Sequence, residues 1–193
     1  MTRLELLQQL ADQLISIKRP HPVRVAIDGV DAAGKTTLAD ELVSPLQKRG
    51  RPVIRASIDG FHQPREIRYR RGPTSPAGYY LDSFDNEAIR SLLLEPLGPG
   101  GNSQYQTRIF DFRSEVPVHS PTCSAQAEAI LLFDGVFLLR PELYNYWDFK
   151  IFVDVTFEVS VARATRRGGF TALSLHHRPG RQSPPICAAT TDP

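Results

Sequence analysis

The stretch VAIDGVDAAGKTTLADEL, residues 25–42, limits the fold most strongly, because an apolar strand runs directly into a glycine-rich loop and then a helix. It matches the pattern G-x-x-x-x-G-K-[ST] in the strand-to-helix context that the pattern requires. In such a loop, successive backbone N–H groups converge on phosphate oxygens, and the helix N-terminus adds positive potential. We therefore predict a nucleotide-phosphate site formed by Gly29, Asp31, Ala32, Ala33, Gly34, Lys35, Thr36 and Thr37.

Two side chains of this loop have separate expected roles. Lys35 should reach the β and γ phosphates, and the Thr36 hydroxyl should bind Mg²⁺. ATP and Mg²⁺ are the cofactors that these roles imply.

The rest of the chain alternates between strand and helix patterns. Apolar, β-rich runs predict strands, of which the last two should lie inside a parallel sheet. These predicted strands are residues 23–28, 53–59, 129–135 and 149–155. Strands that alternate with helices indicate an α/β fold of the P-loop NTPase type, with a mostly parallel sheet and helices on both faces in three layers, α/β/α.

The sequence also predicts helices and loops around these strands. Leucines at helical spacing predict an amphipathic helix at the N-terminus, with Leu4, Leu7, Leu10 and Leu14 on its apolar face. A further helix is expected over residues 85–94. Residues 61–78, rich in Arg, Pro and Gly, are expected to form a surface excursion.

Two aspartates at strand ends favour a kinase over other phosphate-loop proteins. Asp59 ends the second predicted strand, which should lie beside the first, so its carboxylate should face the γ-phosphate and act as a base toward a hydroxyl acceptor. Asp134 ends the third strand like a Walker-B acid and should orient Mg²⁺ or contact substrate. The alternative for each aspartate is a turn-forming role at the end of a strand.

Composition restricts the partners and the compartment. The chain has 193 residues with 23 basic and 21 acidic side chains, a net charge of +2, which predicts neither nucleic-acid nor membrane binding. No run approaches the roughly 18 apolar residues of a membrane span. Cys123 and Cys187 lack metal-site spacing, so neither a disulfide framework nor a zinc site is expected, and a cytoplasmic location is predicted. Homo-oligomerisation stays open.

Six segments, in order, carry a family resemblance. GVDAAGKTT, DGFH, LDSFDNEAI, IFDF, LLFDGV and FVDVTFEVSVARATRR together resemble the uridine kinase and phosphoribulokinase group of P-loop kinases, over roughly residues 23–167. The resemblance implies that Asp59 is the catalytic base and that Arg163 and Arg167 of a lid helix clamp phosphates, with Lys35 also catalytic. For the arginines, a solvated basic helix face is the alternative.

The acceptor side departs from the family pattern. Tyr79 stands where uridine kinases carry an acid for the ribose, and Arg113 follows Phe112 where a His is expected nearby, so pyrimidine recognition is unsupported. The residues expected to contact the acceptor are Asp59, His62, Arg68, Tyr79, Asp85 and Asp111. The arginine cluster at residues 65–71 favours an acidic or phosphorylated acceptor, with a solvated loop as the alternative.

The chain from residue 168 onward has a different composition. It is rich in proline and has neither helical nor strand periodicity, so we interpret residues 1–167 as a kinase domain and 168–193 as a disordered or atypical tail, through truncation or a shifted reading frame. The predicted function is an ATP-dependent, uridine kinase-like phosphotransferase acting on a small-molecule hydroxyl. The alternatives are a thymidylate kinase-like phosphotransferase, which DGFH disfavours, and a catalytically inactive nucleotide-binding protein.

Overall fold

The computed structural model describes residues 1–166. The predicted tail at 168–193 and the predicted lid arginine Arg167 lie outside the described residues, and both stay predictions.

Eight strands are present in the described part of the chain, four of them only two residues long. They are β1 (Val23–Asp28), β2 (Val53–Ser57), β3 (Gln104–Tyr105), β4 (Phe110–Asp111), β5 (Val116–Pro117), β6 (Cys123–Ser124), β7 (Ile130–Asp134) and β8 (Phe149–Phe152). The short strands form two antiparallel pairs, β3 with β6 and β4 with β5, whereas the long strands form one parallel sheet.

Seven α-helices are present within residues 1–166. They are α1 (Arg3–Ser16), α2 (Lys35–Gln47), α3 (Arg65–Arg68), α4 (Pro76–Asp82), α5 (Asn86–Ile89), α6 (Pro141–Tyr144) and α7 (Phe157–Arg166). A 3₁₀ turn at Ile58–Phe61 follows β2, and a π-helical turn at Arg90–Leu94 continues α5. The helix predicted over 85–94 is therefore confirmed, although half of it has π geometry.

The strand order of the sheet differs from the prediction in two places. The order is β2-β7-β1-β8, so β7 lies between β1 and β2, which the sequence placed side by side. A crossover connection can leave a gap that a later strand fills, and local sequence does not show this. β7 is fully buried as predicted, but β8 is the edge strand of the described sheet, where Phe152 is 57% exposed, and its prediction as interior is wrong.

Helices cover both faces of this sheet, which confirms the three-layer α/β/α architecture. Alternation along β7 sends Ile130 and Leu132 to the face covered by α1 and α2, and Leu131 and Phe133 to the opposite face. Trp147 packs against Phe133 on that opposite face, with ring centroids 5.6 Å apart.

Helix α1 has the cap and the buried face that an amphipathic helix needs. Thr2 and Glu5 form a reciprocal capping box at its start. Leu7 and Leu14 are buried against the α2 side of the sheet, whereas Leu4, at 65% exposure, lies off the buried face.

Part of the segment predicted as a surface excursion, residues 61–78, is buried. Phe61, His62 and Arg68 are 0%, 6% and 3% exposed. Phe61 packs on Phe133, and the His62 ring stacks on Phe84. Most other residues of the segment are exposed or half-buried, so the prediction of a surface excursion is wrong only for the buried residues.

Within residues 1–166, no helix is both long enough and apolar enough to cross a membrane.

Candidate active site

The loop between β1 and α2 has the backbone geometry of a phosphate cradle. Gly29 and Gly34 adopt φ angles of +150° and +101°, and Ala32 also has a positive φ of 58°. A Cβ on Gly29 would lie 2.6 Å from the Val153 carbonyl oxygen, so only glycine fits between the ends of β1 and β8.

Asp28, the last residue of β1, fixes the start of this loop. It is 5% exposed, and its carboxylate accepts hydrogen bonds from the Gly29 N–H at 2.7 Å and the Leu139 N–H at 2.9 Å. The loop is thereby tied to the segment that follows β7. Sequence reasoning did not single out Asp28; its burial at the end of an apolar strand was the available signal.

Lys35 lies at the start of α2 with its ammonium group folded over the loop. The side chain is buried, and Nζ donates to the Val30 carbonyl at 2.8 Å. Burial lowers the pKa of Lys35 below its ordinary value, and the carboxylates of Asp31, Asp134, Asp28 and Asp59 oppose that shift. The ammonium is therefore held by a backbone carbonyl, a contact that phosphate oxygens would replace.

Thr36 and Asp134 come together as the metal prediction requires. The Thr36 hydroxyl donates to Asp134 Oδ2 at 2.5 Å, and Asp134 is 2% exposed at the end of β7. The other oxygen, Oδ1, pairs with Arg55 Nη2 at 2.9 Å. Sequence reasoning missed Arg55, because an arginine within a strand has no motif around it.

The donor chemistry around Thr36 fits Mg²⁺. Hydroxyl and carboxylate oxygens are the hard ligands this ion prefers, and Mg²⁺ is commonly held by one or two protein groups together with phosphates and water. No cluster of three or more His, Cys, Asp or Glu side chains suited to a metal ion occurs within the part of the chain described by the structure.

Asp59, which the sequence placed at the end of the strand, lies in the 3₁₀ turn, two residues beyond the end of β2 at Ser57. Its side chain is 63% exposed, and Oδ1 lies 3.7 Å from His62 Nε2. Because β7 separates β2 from β1, the turn that carries Asp59 follows a strand that is not the immediate neighbour of β1. The Asp59 carboxylate is among the acids that oppose the lowering of the Lys35 pKa by burial.

His62 is held rigidly beside Asp59. The ring stacks against Phe84 and Phe112, each with centroids 4.6 Å apart, and Nδ1 lies 3.2 Å from the Ser83 carbonyl oxygen. The imidazole therefore presents only Nε2 toward Asp59. Contact between His62 and an acceptor stays a prediction.

Tyr79, on α4, contacts the loop directly. Its hydroxyl donates to Asp31 Oδ2 at 2.9 Å, and its ring packs edge-on against Phe137. The structure thus brings Tyr79 to the phosphate loop, close to the expected acceptor side. This contact also gives Asp31 a side-chain partner that sequence did not show.

Two other predicted acceptor residues have local structural contacts. Asp85 caps α5, accepting from the Ala88 N–H at 2.9 Å. Asp111 accepts from the Arg113 N–H at 3.0 Å and the Ser114 hydroxyl at 2.9 Å, and these hydrogen bonds lower its pKa. Each carboxylate closes a turn or cap; acceptor binding by either stays a prediction.

The arginines of residues 65–71 are largely paired within the protein. Arg68 pairs with Glu115 at 2.5 Å, while Arg70 and Arg71 both pair with Asp82, which is 2% exposed. These two carboxylates offset two of the four positive charges from which an acidic acceptor was inferred, and they hold three of the guanidinium groups within the protein. The arginine cluster consequently gives that hypothesis little support.

Helix α7 docks on the phosphate loop. The Ser160 hydroxyl donates to the Asp31 carbonyl at 2.7 Å, and Arg163 Nη1 donates to the Ala33 carbonyl at 3.1 Å. Arg163 is thus brought to the loop, as the lid prediction requires, and Ser160 is an additional contact that sequence did not identify.

A cavity of about 520 Å³ opens beside the loop. It is bounded by the start of the loop, by two tyrosines of α4 and by the segment after β7. Its aromatic and charged lining comprises Asp28, Asp31, Tyr79, Tyr80, Phe137, Arg140 and Phe152. The Arg140 guanidinium lies 4.4 Å from the Tyr80 ring centroid and pairs with Glu142 at 3.0 Å, so the carboxylates of Asp28 and Asp31 give the cavity lining a net negative charge.

Comparison with known proteins agrees with this geometry. Uridine-cytidine kinase B of Dictyostelium discoideum is 26% identical over 148 residues, which are 76% of this chain and 58% of that protein. Uridine kinase of Lactobacillus helveticus is 24% identical over 155 residues, 78% of this chain and 69% of that protein. The structure of a possible uridine kinase from Bacillus stearothermophilus superposes with a TM-score of 0.69 at 23% identity, covering 85% of this chain and 86% of that one, which shows a shared fold.

The extent of these matches differs between the relatives. The chain spans 58% and 31% of the lengths of uridine-cytidine kinases B and A of D. discoideum. The family model described as phosphoribulokinase / uridine kinase matches residues 25–169, which include the phosphate loop, Asp59 and Asp134. The chain therefore belongs to the phosphoribulokinase / uridine kinase family.

Proposed function

We propose that this protein is an ATP-dependent phosphotransferase that transfers the γ-phosphate to a hydroxyl group of a small molecule. The observation that carries the proposal is the assembled phosphate cradle, in which Lys35 lies over the loop and Thr36 donates to Asp134, together with the exposed carboxylate of Asp59 on the turn after β2. A hydrolase needs only to orient water, whereas an accessible carboxylate suits proton removal from an acceptor hydroxyl.

The proposed reaction is an in-line displacement at the γ-phosphorus. A bond forms between the acceptor oxygen and phosphorus while the bond from phosphorus to the β–γ bridging oxygen breaks, which releases ADP. The hydroxyl proton passes to Asp59. Lys35 leaves the Val30 carbonyl to bind phosphate oxygens, and Arg163 on α7 adds positive charge beside the same loop.

Thr36 is the residue that would hold Mg²⁺ at this site, and Asp134 would orient its hydroxyl. The Thr36 proton already points at Asp134, so the lone pairs of its oxygen are available for a cation. When bound, Mg²⁺ neutralises charge on the β and γ phosphates.

The acceptor class follows less directly. Relatives named uridine kinase and uridine-cytidine kinase favour a nucleoside. Two observations favour a neutral acceptor that differs from uridine. Tyr79 stands where an acid is expected, and the side chains of Arg68, Arg70 and Arg71 are paired within the protein. A cytoplasmic location, the absence of nucleic-acid and membrane partners, and self-association stay predictions.

The test is ADP release with ATP, Mg²⁺ and a panel of nucleosides, pantothenate, sugars and sugar phosphates. We expect at least one neutral hydroxyl compound to raise ADP release above the rate without acceptor. ATP binding without turnover of any acceptor would overturn the kinase proposal and identify a nucleotide-binding protein. Failure to bind ATP would overturn both.

A further inference from the structure

Arg55 lies in the interior of β2, yet its guanidinium reaches the metal-binding side of the site. Its side chain is 13% exposed, and Nη2 lies 2.9 Å both from Asp134 Oδ1 and from Asp40 Oδ1 of α2. Nη1 donates to the Leu132 carbonyl at 2.7 Å and the Ala56 carbonyl at 3.0 Å. The guanidinium is therefore fixed by contacts from α2, β2 and β7.

This contact determines what Asp134 can do. Its Oδ1 is occupied by Arg55 and its Oδ2 by the Thr36 hydroxyl, so neither oxygen is directed freely at a cation. The carboxylate instead orients the Thr36 proton, which leaves the lone pairs of Thr36 for the metal. Arg55 also offsets the charge of Asp134 beside the phosphates; its second partner, Asp40, is 54% exposed, so solvent screens that carboxylate.

We infer that Arg55 is a positioning residue of the metal and phosphate site, acting through Asp134. It turns the carboxylate toward Thr36 and cancels its charge, so that ATP binding depends less on Mg²⁺ than it would beside an unpaired carboxylate. The inference rests on the proposed function only in requiring that the loop binds nucleotide.

Stability alone does not account for this arginine. A buried ion pair rarely stabilises a fold more than apolar residues of similar volume would, because desolvation of both charges offsets their attraction. The neighbouring residues of β2 are apolar, and Val53 and Ile54 are buried. An arginine that bridges two acids at this position has its largest electrostatic effect on Asp134, the acid that contacts Thr36.

The experiment measures binding of the non-hydrolysable analogue adenylyl imidodiphosphate by calorimetry, once with MgCl₂ and once with EDTA. The quantity of interest is the ratio of Kd without metal to Kd with metal. In Arg55→Met, Asp134 becomes an uncompensated anion that repels metal-free nucleotide and attracts Mg²⁺. We expect the ratio to rise about tenfold or more, since one extra charge within several ångströms has an effect of that order.

Control variants separate this effect from general damage. Arg51 lies just before β2, and its side chain donates to the Glu128 carbonyl. Arg51→Met should leave the ratio of the two Kd values unchanged. Arg55→Lys keeps the charge and should keep the ratio near that of the wild type. In an Asp134→Asn background, Arg55→Met should no longer change the ratio, because the residue through which it acts is neutral.

Each outcome supports or overturns the inference. An unchanged ratio in folded Arg55→Met, with both Kd values weakened equally, would show a purely structural role and overturn it. If Arg55→Met does not fold, Arg55→Gln, which keeps a hydrogen-bond donor but not the charge, must raise the ratio for the inference to stand. Wild-type protein that does not bind the analogue would instead overturn the proposed function.

Discussion

At the residue scale, the site places charged groups of opposite sign in different environments. Lys35 is buried against a backbone carbonyl, whereas the Asp59 side chain is 63% exposed. A cation on the donor side attracts phosphate more strongly in a desolvated loop, because fewer water molecules screen its charge. An exposed base remains accessible to an incoming acceptor. Each environment suits the role proposed for the residue.

Substitution of Asp59 separates catalysis from binding. Asp59→Asn keeps the size of the side chain and its neighbour His62 but cannot take a proton, so turnover should fall by about 10²- to 10⁴-fold. ATP affinity, measured by calorimetry, should stay within about twofold. Asp12→Asn, on the exposed face of α1, is the matched control and should keep full activity. Retained turnover in Asp59→Asn would show that another group is the base.

The lowered pKa of Lys35 predicts a proton linkage. Burial shifts the pKa below 10.5, so at alkaline pH part of the unliganded protein has a neutral Lys35. Phosphate oxygens favour the ammonium form and raise that pKa again, and nucleotide binding should therefore take up protons. The uptake should grow as pH rises from neutrality toward 10.5.

Calorimetry in buffers of different ionisation enthalpy measures this uptake. Lys35→Arg, whose guanidinium stays charged throughout this range, is the control and should abolish the pH-dependent part. Equal uptake in the wild type and in Lys35→Arg would assign the protons to another group.

At the element scale, the close approach of β1 and β8 defines the start of the phosphate loop. Gly29 leaves no room for a side chain because Val153 lies against it, and Asp28 ties the same point to the segment after β7. The position of the loop thus depends on two parallel strands ending at the same level.

Gly29→Ala should disturb this junction, and Gly50→Ala provides a matched control. Both glycines have positive φ, at +150° and +78°, but an added Cβ meets nothing within 4 Å at Gly50. Gly50→Ala should cost about 1 kcal/mol in unfolding free energy from backbone strain alone. Gly29→Ala should cost at least about 2 kcal/mol and also weaken ATP binding, because β1 and β8 must separate. Urea denaturation measures the unfolding free energy, and calorimetry measures ATP affinity. If both variants lost the same unfolding free energy and Gly29→Ala bound ATP as tightly as the wild type, the close approach of β1 and β8 would not be required for the loop.

How far sequence determines these elements depends on the range of the interaction. The strand, loop and helix around Gly34 were predictable, because the phosphate-binding pattern is local and fixes its own context. The insertion of β7 between β1 and β2 was not, since it depends on pairing across distant segments. Arg55 was missed for the same reason: its partner Asp134 is close only after β2 and β7 pair. His62 and Arg68 were assigned to an exposed loop because their flanking Pro and Arg residues are typical of surfaces, whereas aromatic stacking and Glu115 bury them.

At the scale of the whole molecule, the sheet joins two hydrophobic clusters that do not share a face. One contains Trp147 and Phe133, and the other contains Leu14 of α1 together with Leu42 of α2. β7 contributes alternate side chains to both, so loss of either cluster removes support from the same strand. This arrangement predicts that the two layers unfold together.

The single tryptophan allows this coupling to be measured. Leu14→Ala removes a fully buried side chain on the α1 face and should lower the unfolding free energy by about 2–5 kcal/mol. Because the layers share β7, Trp147 fluorescence, which reports on the opposite face, should show the same shift as far-UV circular dichroism. Leu4→Ala, on the same helix but 65% exposed, should change stability by less than about 0.5 kcal/mol. A circular dichroism transition that moves in Leu14→Ala while the Trp147 transition stays in place would mean that the α1 layer unfolds separately from the layer that contains the aromatic core.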